Sequence, residues 1–76
     1  MKELIKHMAD SLVNNPDAAV VTQREEEDGT IELLLHVAPE DMGKVIGKQG
    51  RIAKAMRVVL KAAATKEGKK ANLEIE

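Results

Sequence analysis

The apolar residues of this chain recur at two spacings, one typical of helices and one typical of strands. Between residues 4 and 13 they fall on one stripe of a helix, with charged residues on the other side. Asn14-Asn15-Pro16 predicts the end of this helix, because the residue before a proline is displaced from the α region. The chain therefore opens with an amphipathic helix that needs a partner surface.

Two strands are predicted next. Ala18 to Glu25 contains β-branched residues that favour extended backbone, and Thr30 to Val37 alternates so that one face is fully aliphatic. Asp28-Gly29 lies between them and is typical of a hairpin turn. The second strand is the more apolar, which favours the middle of a sheet.

Two helices and a last strand complete the pattern. Ala38-Pro39-Glu40-Asp41 predicts a helix start and Gly47 the end of that short helix. A second helix follows Gly50 and runs to about Lys66, and the residues from Ala71 onward alternate as a strand. The residues of the second helix that we expect to face the core are Ile52, Ala53, Met56, Val59, Leu60 and Ala63.

The order α-β-β-α-α-β predicts one α+β domain over residues 1–76. The hairpin makes strands 1 and 2 antiparallel, and the helix pair is a crossover that makes strands 2 and 3 parallel, with a right-handed connection. We expect a two-layer sandwich in which a three-stranded mixed sheet of order 1-2-3 carries its helices on one face.

Composition narrows the chemistry. The 76 residues include no cysteine and no aromatic residue, which excludes disulfides, thiolate metal sites and base recognition by aromatic stacking. The two histidines have no evident nucleophile or base beside them, so an enzyme is the weakest hypothesis and no cofactor or metal is expected. No apolar run is long enough for a membrane span, which predicts a cytoplasmic protein.

The charges are divided along the chain. Residues 1–42 carry three cations and ten anions, whereas residues 43–70 carry nine cations and one anion. A ligand responds to the local field rather than to the net charge of −1. The second half is therefore suited to an anionic partner, although a solvated basic helix face is the alternative.

The turn Gly47-Lys48-Gln49-Gly50 lies within this basic half. Glycines allow a ligand backbone to approach closely, and the helix that follows directs free N–H groups toward the turn. A nucleotide P-loop would need a glycine at Met42 and a serine or threonine at Gln49, so that pattern fails. We interpret the turn as a binding site for a sugar-phosphate backbone. An ordinary helix–helix turn is the alternative. The predicted contact residues are Lys44, Val45, Ile46, Gly47, Lys48, Gln49, Gly50, Arg51 and Lys54, with Val45 and Ile46 as an apolar floor for bases.

Val45-Ile46-Gly47-Lys48-Gln49-Gly50-Arg51 resembles the signature loop of the KH domain, a module that binds single-stranded RNA. The element order resembles its type II form, and the stretch from Ala38 to Gly68 is similar to the KhpA family of small bacterial KH proteins. The resemblance implies a non-catalytic protein that binds about four unpaired nucleotides and acts as an RNA chaperone or post-transcriptional regulator. One departure is Ala53, where many KH domains have a large aliphatic residue.

The second predicted helix carries more apolar surface than one core requires. The excess is Ala55, Val58 and Ala62, which flank Val59. We number this helix, which follows Gly50 and runs to about Lys66, α3, and we name these four residues the α3 surface. Small residues at this spacing favour self-association, although alanines chosen for helix propensity are the alternative. The resemblance also implies a homodimer, or a heterodimer with a larger Jag-type KH protein. A dimerisation adaptor in which RNA binding is secondary is therefore the alternative function.

Overall fold

A computed structural model describes residues 1–76. The helices are α1 (Lys2–Asp10), α2 (Met42–Ile46) and α3 (Arg51–Lys66), and the strands are β1 (Val20–Glu25), β2 (Ile31–His36) and β3 (Ala71–Ile75). Short 3-10 turns occupy Pro16–Ala18, Pro39–Asp41 and Lys48–Gly50. The predicted order of helices and strands is confirmed.

The sheet has the predicted topology, with strand order β1-β2-β3. β1 and β2 are antiparallel with Gln23 opposite Leu33, and β2 and β3 are parallel with Leu33 opposite Leu73. At the hairpin, Gly29 has a φ of 90° and the Asp28 carboxylate accepts a hydrogen bond from the Thr30 N–H at 2.9 Å. This hydrogen bond lowers the pKa of Asp28. The same bond stabilises the turn, because the side chain satisfies a backbone N–H of the turn itself.

The core lies between one face of the sheet and the helices. The aliphatic face of β2 is buried as predicted, and α1 packs against β1 while α3 packs against β3. The core side chains contributed by the helices are Ile5, Ala9, Val45, Met56, Leu60 and Ala64. His36 lies on the opposite, uncovered face of β2 and is exposed.

Two predicted boundaries were wrong by a few residues. α1 ends at Asp10 rather than at Asn14, because the chain tightens at Ser11, whose hydroxyl donates to the Met8 carbonyl at 2.7 Å. Val13 still contributes to the core from the turn that follows. β1 begins at Val20 rather than Ala18, since the 3-10 turn at Pro16–Ala18 delays the extended backbone.

The core face of α3 also differs from the prediction. Ala53, Met56, Leu60 and Ala64 are buried, whereas Val59 is 42% exposed. The sheet covers a narrower arc of α3 than the apolar pattern implies, and Val59 lies about 100° around the helix from Leu60. The expectation that Val59 faces the core is therefore wrong, while its place on the α3 surface stays a prediction.

None of the three helices combines the length and the apolar character that a membrane span requires.

Candidate nucleic-acid interface

A buried carboxylate fixes the start of α2. Asp41 has no exposed surface, and its oxygens accept hydrogen bonds from the backbone N–H groups of Asn14 and Asn15 at 3.1 and 3.0 Å. The Lys44 ammonium lies 3.5 Å from Asp41 Oδ1. These contacts tie α2 to the segment that joins α1 to β1, so the orientation of α2 depends on a distant part of the chain.

The same contacts decide the charge of Asp41. The N–H of Asn14 lowers the pKa of Asp41 most, the N–H of Asn15 and the Lys44 ammonium lower it further, and burial opposes them. The carboxylate is therefore ionised at neutral pH. The sequence indicated Asp41 only as an acid in the first turn of a helix, and no local signal connects it to Asn14.

The glycine loop, residues 47–50, reverses the chain between α2 and α3. Gly47 has φ 76° and ψ 173°, Gln49 has φ 59° and Gly50 has φ 73°. Three of the four loop residues thus have positive φ, which glycine adopts readily and glutamine rarely. The Gly47 N–H bonds to the Gly43 carbonyl at 2.9 Å and the Gly50 N–H bonds to the Gly47 carbonyl at 3.1 Å.

The two glycines are required for different reasons. A Cβ on Gly47 would lie 2.6 Å from Ile52 Cγ1 and 2.8 Å from Ile52 Cβ. Non-bonded carbon atoms do not approach each other so closely in proteins. A Cβ on Gly50 would meet nothing within 4 Å. Gly47 is therefore needed for internal packing, whereas Gly50 leaves an open surface that an incoming ligand can approach.

Positive charge surrounds the glycine loop. Lys48, Arg51 and Lys54 are exposed and form no ion pair with a carboxylate, and the Arg51 guanidinium donates only to Gln49 Oε1 at 3.4 Å. No side chain caps the N-terminus of α3. The Arg51 N–H donates to the Lys48 carbonyl, and the next N–H groups of the first turn and the positive end of the helix dipole face the loop. This arrangement is suited to an anion such as a phosphate.

The predicted apolar floor is narrower than expected. Val45 has no exposed surface and belongs to the core, whereas Ile46 is 37% exposed. Of this pair, only Ile46 can contact a ligand. Ala53 is also buried, so the wall of α3 beside the loop is formed by Ile52 and the basic residues.

The α3 surface lies on another part of the same helix. All four of its residues are exposed, and Val58 is 66% exposed. Exposed large aliphatic side chains are few in this protein, and two of the four, Val58 and Val59, are adjacent here. Apart from the buried Val45, the predicted contact residues of α2 and the glycine loop lie together at the start of α3, and the α3 surface follows them along the helix.

Comparison with known proteins decides the family. The sequence profile of the KH domain of KhpA and KhpB matches residues 2–75. The chain belongs to the KhpA/KhpB family of KH domains. The resemblance of the glycine loop to the KH signature, and of the element order to the type II form, agrees with this assignment.

Bacterial relatives match the KhpA-type chain over nearly its whole length. A protein of Clostridium acetobutylicum named RNA-binding protein KhpA is 59% identical over 75 residues, covering 99% of each chain. Proteins with the same name from Caldanaerobacter subterraneus and Listeria monocytogenes are 56% and 49% identical over 75 residues and cover 99% of this chain; the match spans 99% and 97% of their own lengths.

Proposed function

We propose that this KhpA/KhpB-family chain is a non-catalytic module that binds single-stranded RNA, with the glycine loop clamping the RNA backbone. One observation carries the proposal. A loop with three positive φ values and an open surface at Gly50 adjoins the uncapped end of α3, among cations that have no carboxylate partner. The relatives named RNA-binding protein KhpA support the choice of RNA.

Each part of the interface has a chemical role in this proposal. Gly50 lets the sugar-phosphate backbone approach, and N–H groups in the first turn of α3 beyond Arg51 donate to a phosphate. Lys48, Arg51 and Lys54 neutralise neighbouring phosphates. The bases pack against Ile46. Hydrogen bonds to the base edges provide the discrimination between RNA sequences.

The lack of aromatic residues limits the affinity of one domain, because base stacking on aromatic rings contributes about 1–3 kcal/mol per base where it occurs. Two linked domains would recover affinity through effective concentration. Weak and weakly specific binding is typical of a protein that acts on many transcripts. We therefore infer a role as an RNA chaperone or post-transcriptional regulator in the cytoplasm.

A double substitution in the glycine loop tests the clamp. Lys48→Asp with Gln49→Asp should weaken binding to a short unstructured RNA by at least about tenfold, because it removes one cation and adds two anions beside the phosphates. The fold should survive, since Lys48 and Gln49 are exposed and aspartate tolerates positive φ. Fluorescence anisotropy of a labelled RNA measures the affinity, and circular dichroism checks the fold.

The matched control changes the same charge elsewhere. Thr65→Asp with Lys66→Asp alters two exposed residues at the far end of α3 and shifts the net charge by the same amount. It should weaken binding far less than the loop variant. Equal losses in both variants would show that only net charge matters and would remove the case for a clamp.

A second candidate function rests on the exposure of Val58. An adaptor that pairs with a second copy, or with a larger Jag-type KH protein, would cover the α3 surface, and RNA binding would be secondary. Two exposed valines flanked by alanines allow close helix packing.

Val58→Glu tests this surface. If the α3 surface pairs, a buried carboxylate should raise the dissociation constant of the dimer roughly tenfold or more, as measured by analytical ultracentrifugation. His7→Glu places a new carboxylate on the exposed side of α1 and should leave association unchanged. The adaptor function is favoured if Val58→Glu abolishes activity in cells and the loop variant does not; the opposite result favours the RNA clamp.

A further inference from the structure

Arg57 connects α3 to the edge of the sheet and keeps most of its donors free. Its Nε donates to the Leu73 carbonyl of β3 at 3.2 Å, and its guanidinium forms no ion pair with a carboxylate. A guanidinium has five N–H donors, of which this bond uses one. Arg57 is exposed, so its terminal N–H groups are open to a ligand.

The Leu73 carbonyl fixes the direction of this guanidinium. The Glu76 N–H bonds to the Leu35 carbonyl of β2 at 2.8 Å, and bonded and free residues alternate along a strand. The backbone groups of Leu73 therefore point to the open edge, where Arg57 meets them. With Nε held there, Nη1 and Nη2 form a planar fork that matches two oxygens of a phosphate and loses little freedom on binding.

Two lysines flank Arg57 on the same side of α3. Lys54 is three residues before Arg57 and Lys61 is four residues after it, spacings that make side chains neighbours on a helix. Both lysines are exposed and neither has a carboxylate partner. α3 contains no acidic residue that would offset their charge. We name Lys54, Arg57 and Lys61 the α3 basic row.

We propose that the α3 basic row binds phosphates of the same RNA strand beyond those at the glycine loop, with Arg57 as its central contact. This inference rests on the RNA clamp proposed above. At about 1.5 Å per residue, Arg57 lies about 10 Å and Lys61 about 16 Å along the helix from Gly50. A stacked strand advances about 3.4 Å per nucleotide. The row therefore selects an unpaired RNA run longer than the four or so nucleotides of a single clamp.

The position of the row favours RNA over an acidic protein segment. Arg51 lies beside the glycine loop and precedes Lys54 by three residues, so the cations continue from the loop along α3 without an intervening anion. A strand whose phosphates are already held at the loop reaches the row without a second binding event. A separate acidic segment would have to compete with that strand for the same cations.

Arg57→Gln tests the row with an oligouridine of about ten nucleotides, whose fluorescence anisotropy is measured at several salt concentrations. The affinity at low salt should fall at least about fivefold, because a charge-assisted contact is lost. The slope of log affinity against log salt should become shallower by about 0.7, since one phosphate contact is removed from a single strand. Lys61→Gln should make the slope shallower in the same way.

Two further variants separate charge, geometry and location. Lys66→Gln makes the same charge change at an exposed residue of α3 that lies about 180° around the helix from Arg57, and it should leave the slope unchanged. Arg57→Lys keeps the charge but loses the fork. It should keep the slope and lower the affinity about threefold.

A purely structural Arg57 gives a different result. Arg57→Gln would then lower the free energy of unfolding in urea and the RNA affinity while the salt slope stayed the same, which overturns the proposal. Equal changes of slope in Arg57→Gln and Lys66→Gln also overturn it, because net charge alone would explain them. If Arg57→Gln fails to fold by circular dichroism, the slope of Lys61→Gln decides.

The loop variant, Lys48→Asp with Gln49→Asp, is measured in parallel to separate the row from the clamp. If the loop variant loses affinity and Arg57→Gln does not, the row is wrong and the clamp stands. If Arg57→Gln loses affinity and slope while the loop variant keeps both, the clamp is wrong and the row binds RNA without it.

Discussion

Gly47→Ala is expected to lower the free energy of unfolding by about 3 kcal/mol, a large part of the stability of so small a domain. At φ 76° and ψ 173° the backbone of Gly47 lies in a region that is essentially reserved for glycine. The new Cβ would also meet the Ile52 side chain at 2.6 Å. Since Ile52 packs against the core, relief of the clash would disturb α3 as well as the loop. Urea denaturation followed by circular dichroism measures the effect.

Gly50→Ala is the matched control, because it introduces the same methyl group three residues later. Gly50 is left-handed with φ 73° and ψ 15°, and its added Cβ would meet nothing. We therefore expect the free energy of unfolding to fall by only about 1 kcal/mol, the cost of a left-handed backbone at a residue that has a Cβ. If the two alanine variants were equally stable, the close approach of Gly47 to Ile52 would not exist in solution.

Asp41→Asn is expected to give the second large loss, with the melting temperature about 10 °C lower at neutral pH. The amide keeps the shape of the side chain but loses the charge, and its NH₂ group cannot accept from Asn14 or Asn15. One backbone N–H at this part-buried site would then lose its partner. Because α2 precedes the glycine loop directly, RNA affinity should fall together with stability.

The pH dependence of the melting temperature distinguishes the contribution of the charge of Asp41 from that of its shape. The folded-state pKa of Asp41 is lowered by the N–H groups of Asn14 and Asn15 and by Lys44, so its contribution is complete above the unfolded value of about 3.9. It is lost as the pH falls through the lower folded value. The difference in melting temperature between the native protein and the Asp41→Asn variant should be constant above about pH 5 and should narrow below about pH 4.

Asp28→Asn provides the comparison for Asp41. Its carboxylate also accepts a backbone N–H, but from Thr30 in an exposed turn. Water can replace that bond, so the change in melting temperature should be much smaller. A gap between the native and Asp41→Asn proteins that persists unchanged to low pH would contradict an ionised, buried Asp41.

The fold follows from the sequence where periodicity and turn chemistry agree. The alternation from Ile31 to Val37 identifies both the central strand and its buried face, and Asp28-Gly29 identifies its pairing with β1. A crossover of two helices then requires β2 and β3 to be parallel, as observed. These signals are local, so a single sequence contains them.

The rest depends on contacts between distant residues. Asp41 and Asn14 are 27 residues apart, and a hydrogen bond from a backbone N–H imposes no preference on the residue that donates it. Val45 and Ile46 are equally apolar in sequence, yet only the packing of α2 decides which is buried. The apolar pattern wrongly predicts Val59 in the core because it gives the direction of a helix face but not the width of the face that the sheet covers.

The parallel pairing of β2 and β3 has a consequence for the order of folding. The β1–β2 hairpin closes through a short turn, whereas β3 pairs with β2 across 40 residues, as between Asn72 and Glu32. The intervening segment contains α2, the glycine loop and α3. Closing so long a segment is entropically unfavourable until its helices are packed. We therefore expect the third strand and the binding surface to form together after the hairpin, and to be lost together when the chain opens partially.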